Sequence, residues 1–321
     1  MTLRNLYTLI VVPGLFFTFS CGAFAEILSL DDALSVARNA CAGIGDDLSD
    51  LKRMAGINTA VTAVGTVSGG VALGTGIAKS RTDKEQQELK DKVAKLIAEK
   101  SDVPIEHLEI ADESAFREQI LSVIQNDGLD ELSEDMKRIE ELEQKSKNLG
   151  NIRTGTLAVS TATNVAGTVI AARNKVDEDL ETRINNCISA VKDLSNAKLA
   201  AKMEGVATEE EISQADKIIA NCRDWDTVDL KTINKRAKGA AISSGIGAGT
   251  GIVGTITSAV ANTDATRNGD EQKEKKLNTT ANVMAGASTA ASAMATIFNA
   301  TQISAIKKAA TVADACEEAL Q

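Results

Sequence analysis

Charged residues are spread along most of this chain, but four long stretches carry none: Met54–Ala78, Thr154–Ala172, Gly239–Asn262 and Leu277–Ile306. They are built from Gly, Ala, Ser, Thr and Val rather than Leu and Phe, as in Val64–Gly74 and Ile242–Gly251. Segments of this kind suit helices whose backbones approach closely. The glycines that carry the expectation are Gly65, Gly69, Gly70 and Gly74 in the first stretch, and Gly245, Gly247, Gly249 and Gly251 in the third. Both sets fall at small-xxx-small spacing, like the glycine-zipper segments of membrane helices.

The apolar positions around these stretches recur at helical spacing. Ser29 followed by Asp31 and Asp32 reads as an N-cap with acids in the first turn. Leu30, Leu34, Ala37, Cys41, Ile44, Leu48, Leu51 and Met54 then trace one face, so a single helix is expected from Ser29 through the first stretch to about Lys100. Pro104 and Asn126-Asp127-Gly128 bracket a break at 101–130. A second helix should run from about Leu132 through the second stretch to about Lys202 and end at Gly205. Thr208 and Glu211 have capping-box spacing for a third helix. In that helix Ile242, Ile246, Gly249, Val253, Ile256 and Val260 alternate by fours and threes, which predicts a heptad packing seam. After a turn at Asn262–Asp270, a fourth helix bears Met284, Ala287, Ala291, Met294 and Phe298 at the same spacing.

Folding these helices as consecutive antiparallel hairpins gives an all-α, up-down-up-down four-helix bundle with close-packed Gly/Ala-rich central segments. The cysteines then fall into register. The midpoint of Cys41 with Cys187 lies inside the break at 101–130, and those of Cys187 with Cys222 and Cys222 with Cys316 lie in the predicted turns at Gly205 and Asn262–Asp270, so the four share one level. Duplication of a hairpin favours Cys41–Cys187 with Cys222–Cys316, while the shared level equally permits Cys187–Cys222 with Cys41–Cys316. The first hairpin spans 26–205 and carries an acidic, coiled-coil-like tip extension at about 80–147; the second spans 206–321. The charge-free stretches overlap over a slab about 30 Å thick.

The first residues change the picture by adding a compartment. Arg4, the apolar run Leu6–Phe19 and Ala23-Phe24-Ala25 match a secretory signal peptide over 1–25, with Ala23 and Ala25 at the cleavage site. Cys21 lacks the leucine three residues upstream that a lipoprotein signal uses. Export places the other four cysteines in oxidising surroundings, where disulfides outcompete an all-thiolate zinc site.

Composition narrows the function. The net charge is −10, with acids and bases interspersed, which argues against a nucleic-acid partner. Aromatics make up 2% of the chain and most lie in the first 25 residues, so the ring-lined pocket of an enzyme or small-molecule receptor is not expected. Gly249-Thr-Gly251-Ile-Val-Gly254 fits GxGxxG in letters, but it follows a helical segment where the nucleotide fingerprint needs a strand. His107 is the only histidine, with no companion for a zinc site. No catalytic, cofactor or metal residue is assigned.

The expected function is that of an exported, non-enzymatic cell-envelope protein, held in the membrane as a helical bundle. A soluble, self-assembling periplasmic or secreted scaffold is the alternative, and a pore-forming protein a third. Self-association or another envelope protein is the expected partner. The insertion energy is modest: six strong apolar residues in the third stretch contribute only about −3 kcal/mol.

Overall fold

The computed structural model describes residues 29–101, 131–267 and 271–321, and these are helical with no strand among them. In chain order the helices are α1 (Leu30–Cys41), α2 (Ile44–Ser101), α3 (Glu131–Arg173), α4 (Glu178–Glu204), α5 (Glu209–Cys222), α6 (Leu230–Ala261), the single turn α7 (Asp264–Arg267) and α8 (Glu271–Leu320). The chain is therefore all-α. His107, the break expected at 101–130 with its Pro104, apart from its first residue, and the expected cleavage residues Ala23 and Ala25 lie outside the described residues.

Three of the four long helices expected from the sequence are interrupted, and only the last runs unbroken. Ala42 turns extended and Gly43 takes φ +73°, a conformation that glycine adopts without a Cβ clash, so α1 and α2 are separate. Asp177 takes a new cap, its side chain accepting from Leu180 N at 2.9 Å, which separates α3 from α4. A 3₁₀ turn at Arg223–Thr227 and a cap from Asp229 to Thr232 N at 3.0 Å separate α5 from α6. The second and third breaks are held by these local side-chain-to-backbone bonds, which compete with helix continuation.

The interruptions divide the molecule into a head and a shaft. In the head, α1, α4, α5 and the last turns of α8 surround the largest apolar core, which includes Leu34, Ile44, Leu48, Ile184, Leu194, Ile218, Trp225 and Ile306. Gly205 closes α4 at φ +68°, and the Thr208–Glu211 capping box opens α5. Cys41–Cys187 and Cys222–Cys316 cross-link this core, with Cα–Cα distances of 4.7 and 4.6 Å. Cys41, Cys187 and Cys316 place their sulfurs within 4.8 Å of one another, so the two bridges are neighbours.

In the shaft, α2, α3, α6 and α8 lie side by side, α2 and α6 each packing on both α3 and α8. Neighbours run antiparallel: Asp83 of α2 meets Ser146 of α3 while Gly65 meets Ser160, and Ser258 of α6 meets Arg153 of α3 while Asn234 meets Val176. Buried positions include a three-four alternation along each helix. On α6 it runs Ile233, Ala237, Ala240, Ser244, Gly247, Gly251, Gly254, Ser258 and Ala261, with Ser243 and Ala248 buried beside it. On α2 the series is Ala55, Asn58, Thr62, Gly65, Gly69, Ala72, Gly76 and Lys79. A sustained 3.5-residue repeat is the geometry of coiled-coil packing.

The heptad seam expected on the third helix is therefore one stripe out of place. Ile242, Ile246, Val253, Ile256 and Val260 are exposed, and Gly249 faces open space. The interior seam beside them is made of Ser and Gly. Met294 and Phe298 likewise point outward on α8, whereas Ala291 is buried. Both stripes have the same period, so periodicity alone does not say which one meets the neighbouring helices.

Candidate functional site

The feature that sets this molecule apart is the inversion of its shaft: large apolar side chains outside, small and polar ones inside. Each of the four helices contributes to the outer belt. On α2 Val64, Val67, Val71 and Ile77 are exposed; on α3 Ile152, Val159, Val165 and Val169; on α8 Val283, Met294 and Ile297. With the α6 residues named above, the belt closes around the whole circumference. Exposure reaches 68% at Val67 and 63% at Ile297. A soluble monomer rarely presents a contiguous apolar surface of this kind, and one on all four sides is further from that norm.

The interior is a ladder of hydrogen bonds along the shaft axis. Nearest the head, Gln302 donates to the Asn174 carbonyl at 2.7 Å. One turn further Asn58 donates to Asn299 Oδ1 at 2.9 Å, and Thr296 donates to Thr62 Oγ1 at 3.1 Å. Ser292 donates to Asn164 Oδ1 at 2.9 Å in the next layer. There Ser288 reaches the Gly247 carbonyl and Ser160 the Gly65 carbonyl, at 2.9 and 3.0 Å. An apolar layer of Ala72, Leu157 and Ala285 follows.

Beyond that layer lies a charged one. Arg153 and Lys79, both fully buried, are the largest polar side chains in the interior. Arg153 donates to Ser258 Oγ at 2.8 Å, to Asn278 Oδ1 at 2.7 Å and to Asn282 Oδ1 at 3.2 Å. Lys79 pairs with Asp83 at 2.7 Å and Glu274 at 2.8 Å, and Asp83 also accepts from Ser146. Two buried cations thus face two carboxylates and a set of amides. This compensation is what burying charge requires.

The glycines make the inner seam possible by letting partner side chains reach across. A Cβ on Gly65 would lie 2.7 Å from Thr163 Oγ1, and one on Gly247 would lie 2.7 Å from Asn164 Nδ2. Gly69 and Gly251 abut Thr289 and Thr161 just as tightly. Gly70, Gly74 and Gly249 have nothing within 4 Å, and Gly245 touches Thr168 only at 4.0 Å. So four of the eight zipper positions are close approaches, and four face outward. Gly76, Gly150, Gly167 and Gly254 are close approaches absent from the sequence-based set. They share the three-four stripe of the buried positions, and that stripe was the signal for them.

No protein family, curated protein or solved structure matches this chain. The belt and the axis therefore have to be interpreted on their own chemistry. The sulfurs of Cys41, Cys187, Cys222 and Cys316 are all engaged in disulfides and offer no thiolate to a metal. On the surface of the head, bonds from Thr208 hold the Glu211 carboxyl below the usual range, and bonds from Thr232 do the same for Asp229. Both groups are helix caps.

Proposed function

We propose that this chain is an exported, non-enzymatic membrane protein of the cell envelope, a four-helix bundle of two duplicated antiparallel hairpins whose belt faces lipid acyl chains. The observation that carries the proposal is the four-sided belt. A partner protein docks against one side of a rod and leaves the rest wet, whereas a lipid annulus wraps the full circumference. Stretches within Leu30–Leu96, Leu132–Glu204 and Leu230–Ala261 are long and apolar enough to span a bilayer. Inside hydrocarbon polar groups need internal partners; the axial amide and hydroxyl ladder supplies many of them and leaves Asn58 Oδ1, Ser244 Oγ, Asn262 Oδ1 and Gln302 Oε1 without one among the described residues. In this reading residues 1–25 are a signal peptide, the disulfide-bonded head lies on an oxidising face of the membrane, and the tip extension lies across it.

One observation favours self-assembly of a soluble scaffold instead. Among the described residues α8 does not reach the apolarity of a spanning helix, although it carries part of the belt. In that reading copies of the chain cover one another's belts.

Fractionation of cells expressing the full chain, followed by an alkaline wash of the membranes, decides between the two. Retention in the washed membranes is the expected result. Recovery in the soluble fraction as a large assembly would reject the membrane reading and support the scaffold. Val67→Lys with Ile256→Lys places two charges on the belt, each costing about 2.5–3.5 kcal/mol at a helix centre in a bilayer, and should abolish retention.

A further inference from the structure

We infer that the head-side edge of the belt is a collar that binds anionic lipid headgroups, an inference that rests on the membrane reading above. Cross-helix bonds put this edge at one level on all four shaft helices. Gln302 of α8 bonds the Asn174 carbonyl at the end of α3, Arg236 of α6 bonds the Thr301 carbonyl of α8, and Asn234 of α6 bonds both backbone groups of Val176. At this level every helix leaves the uncharged belt through basic residues. α2 does so with Lys52 and Arg53, and α3 with Arg173 and then Lys175 just past its end. α6 presents Lys235 and Lys238 beside Arg236, and α8 presents Lys307 and Lys308. All of these are exposed except Arg236, which is half-buried.

Lys308 also donates to the Thr227 carbonyl of the head at 3.4 Å, and along the four shaft segments no carboxylate interrupts this rim. The nearest ones along the same segments are Asp50, Asp177, Asp229 and Asp314, and each lies on the head side of the bases, farther from the belt. The opposite edge of the belt has no such segregation, since Lys79 sits with Asp83 on α2 and Lys275 with Glu274 on α8. In a protein of net charge −10, a one-signed ring of lysine and arginine abutting an apolar belt is a local reversal of the overall field. Where acyl chains contact the belt, the plane of lipid phosphates falls at its edge, and long basic side chains reach that plane while their stems stay on apolar surface. Each base near an anionic membrane surface is worth about fivefold in association.

The test uses the purified full chain, reconstituted by detergent removal into vesicles of phosphatidylcholine alone and of phosphatidylcholine mixed with phosphatidylglycerol. Flotation reports membrane association. Spin-labelled phosphatidylglycerol and phosphatidylcholine then report which lipid occupies the boundary shell. The expected result is flotation with both vesicles, and a boundary shell enriched in phosphatidylglycerol that loses the enrichment as salt is raised. Substituting Lys52→Gln, Arg173→Gln, Lys235→Gln and Lys307→Gln together should bring the selectivity close to that of neutral lipid, with the helical circular dichroism unchanged. Flotation with no preference for phosphatidylglycerol would overturn the collar and leave the membrane reading standing. A chain that floats with neither vesicle would remove the membrane reading and the collar with it.

Discussion

Gly69 and Gly70 are adjacent, share one helix and differ only in the side to which they face, so one methyl group added to each tests the close-packing argument. A Cβ on Gly69 would lie 2.5 Å from Thr289 Oγ1, 3.3 Å from Thr289 Cα and 3.3 Å from Ser160 Oγ. Rotating the threonine hydroxyl does not relieve the contact with its backbone, so α2 and α8 must separate. Overpacking of that kind costs about 1–3 kcal/mol. Gly70 has nothing within 4 Å, so Gly70→Ala meets no obstacle and gains about 0.8–1.0 kcal/mol of helix propensity. The same gain applies to Gly69→Ala and cancels when the two variants are compared. Their difference in stability is therefore the overpacking cost itself, about 1–3 kcal/mol in favour of Gly70→Ala. The assay is reversible denaturant unfolding followed by circular dichroism, both variants in the same detergent or lipid. Equal stabilities, or a more stable Gly69→Ala, would refute the close approach of α2 to α8.

Other parts of the molecule give independent tests. Lys79→Met leaves Asp83 and Glu274 without their shared cation and should destabilise by about 3 kcal/mol, the low end for a broken buried pair because both carboxylates are partly exposed; adding Glu274→Leu should recover part of the loss, and a neutral single variant would show the charged layer to be dispensable. Replacing Cys222 and Cys316 together by Ser opens a bridge between residues 94 apart and should cost about 2–5 kcal/mol, read as a lower midpoint of thermal unfolding; an unchanged midpoint would count against the bridge. Glu211 and Asp229 have folded-state carboxyls held below their ordinary range, so what they contribute is present above the ordinary carboxylate pKa and is lost as pH falls through the depressed values. Protection factors of the Glu211 and Thr232 amides, which correct exchange for its intrinsic pH dependence, should accordingly fall at acid pH, and in Glu211→Gln the acid response at α5 should disappear while that at α6 remains.

The helical class and the cysteine-rich level were legible because they rest on composition, spacing and caps such as Thr208 with Glu211, all of which act within a few residues. The interruptions were harder to read. Ala42-Gly43 carries a glycine but no proline or polar cluster, and the Asn174–Asp177 break depends on bonds from Asn234 and Gln302, which lie far away in sequence. The inner face of the shaft was misread for a different reason. Ile242, Ile246, Val253 and Ile256 form a stripe at 3.5-residue spacing, and so do Ser244, Gly247, Gly251 and Gly254 beside it. Assigning the apolar stripe to the interior assumes water outside. If the surroundings are apolar, that assumption reverses, and the hydrogen-bonding stripe turns inward.

The placement of the two disulfides has a mechanical consequence. One bridge ties the base of α1 and α2 to that of α3 and α4, and the other ties α5 and α6 to α8. Each pair of shaft helices is thus bound covalently at its foot, like two leaves of a book, while the contacts of α2 with α8 and of α3 with α6 are held by side chains alone. If the shaft opens without breaking a covalent bond, it parts along those two contacts. What comes into view is then the inner margin of each leaf: Asn58 and Thr62 on one side, and Asn299 and Thr296 on the other.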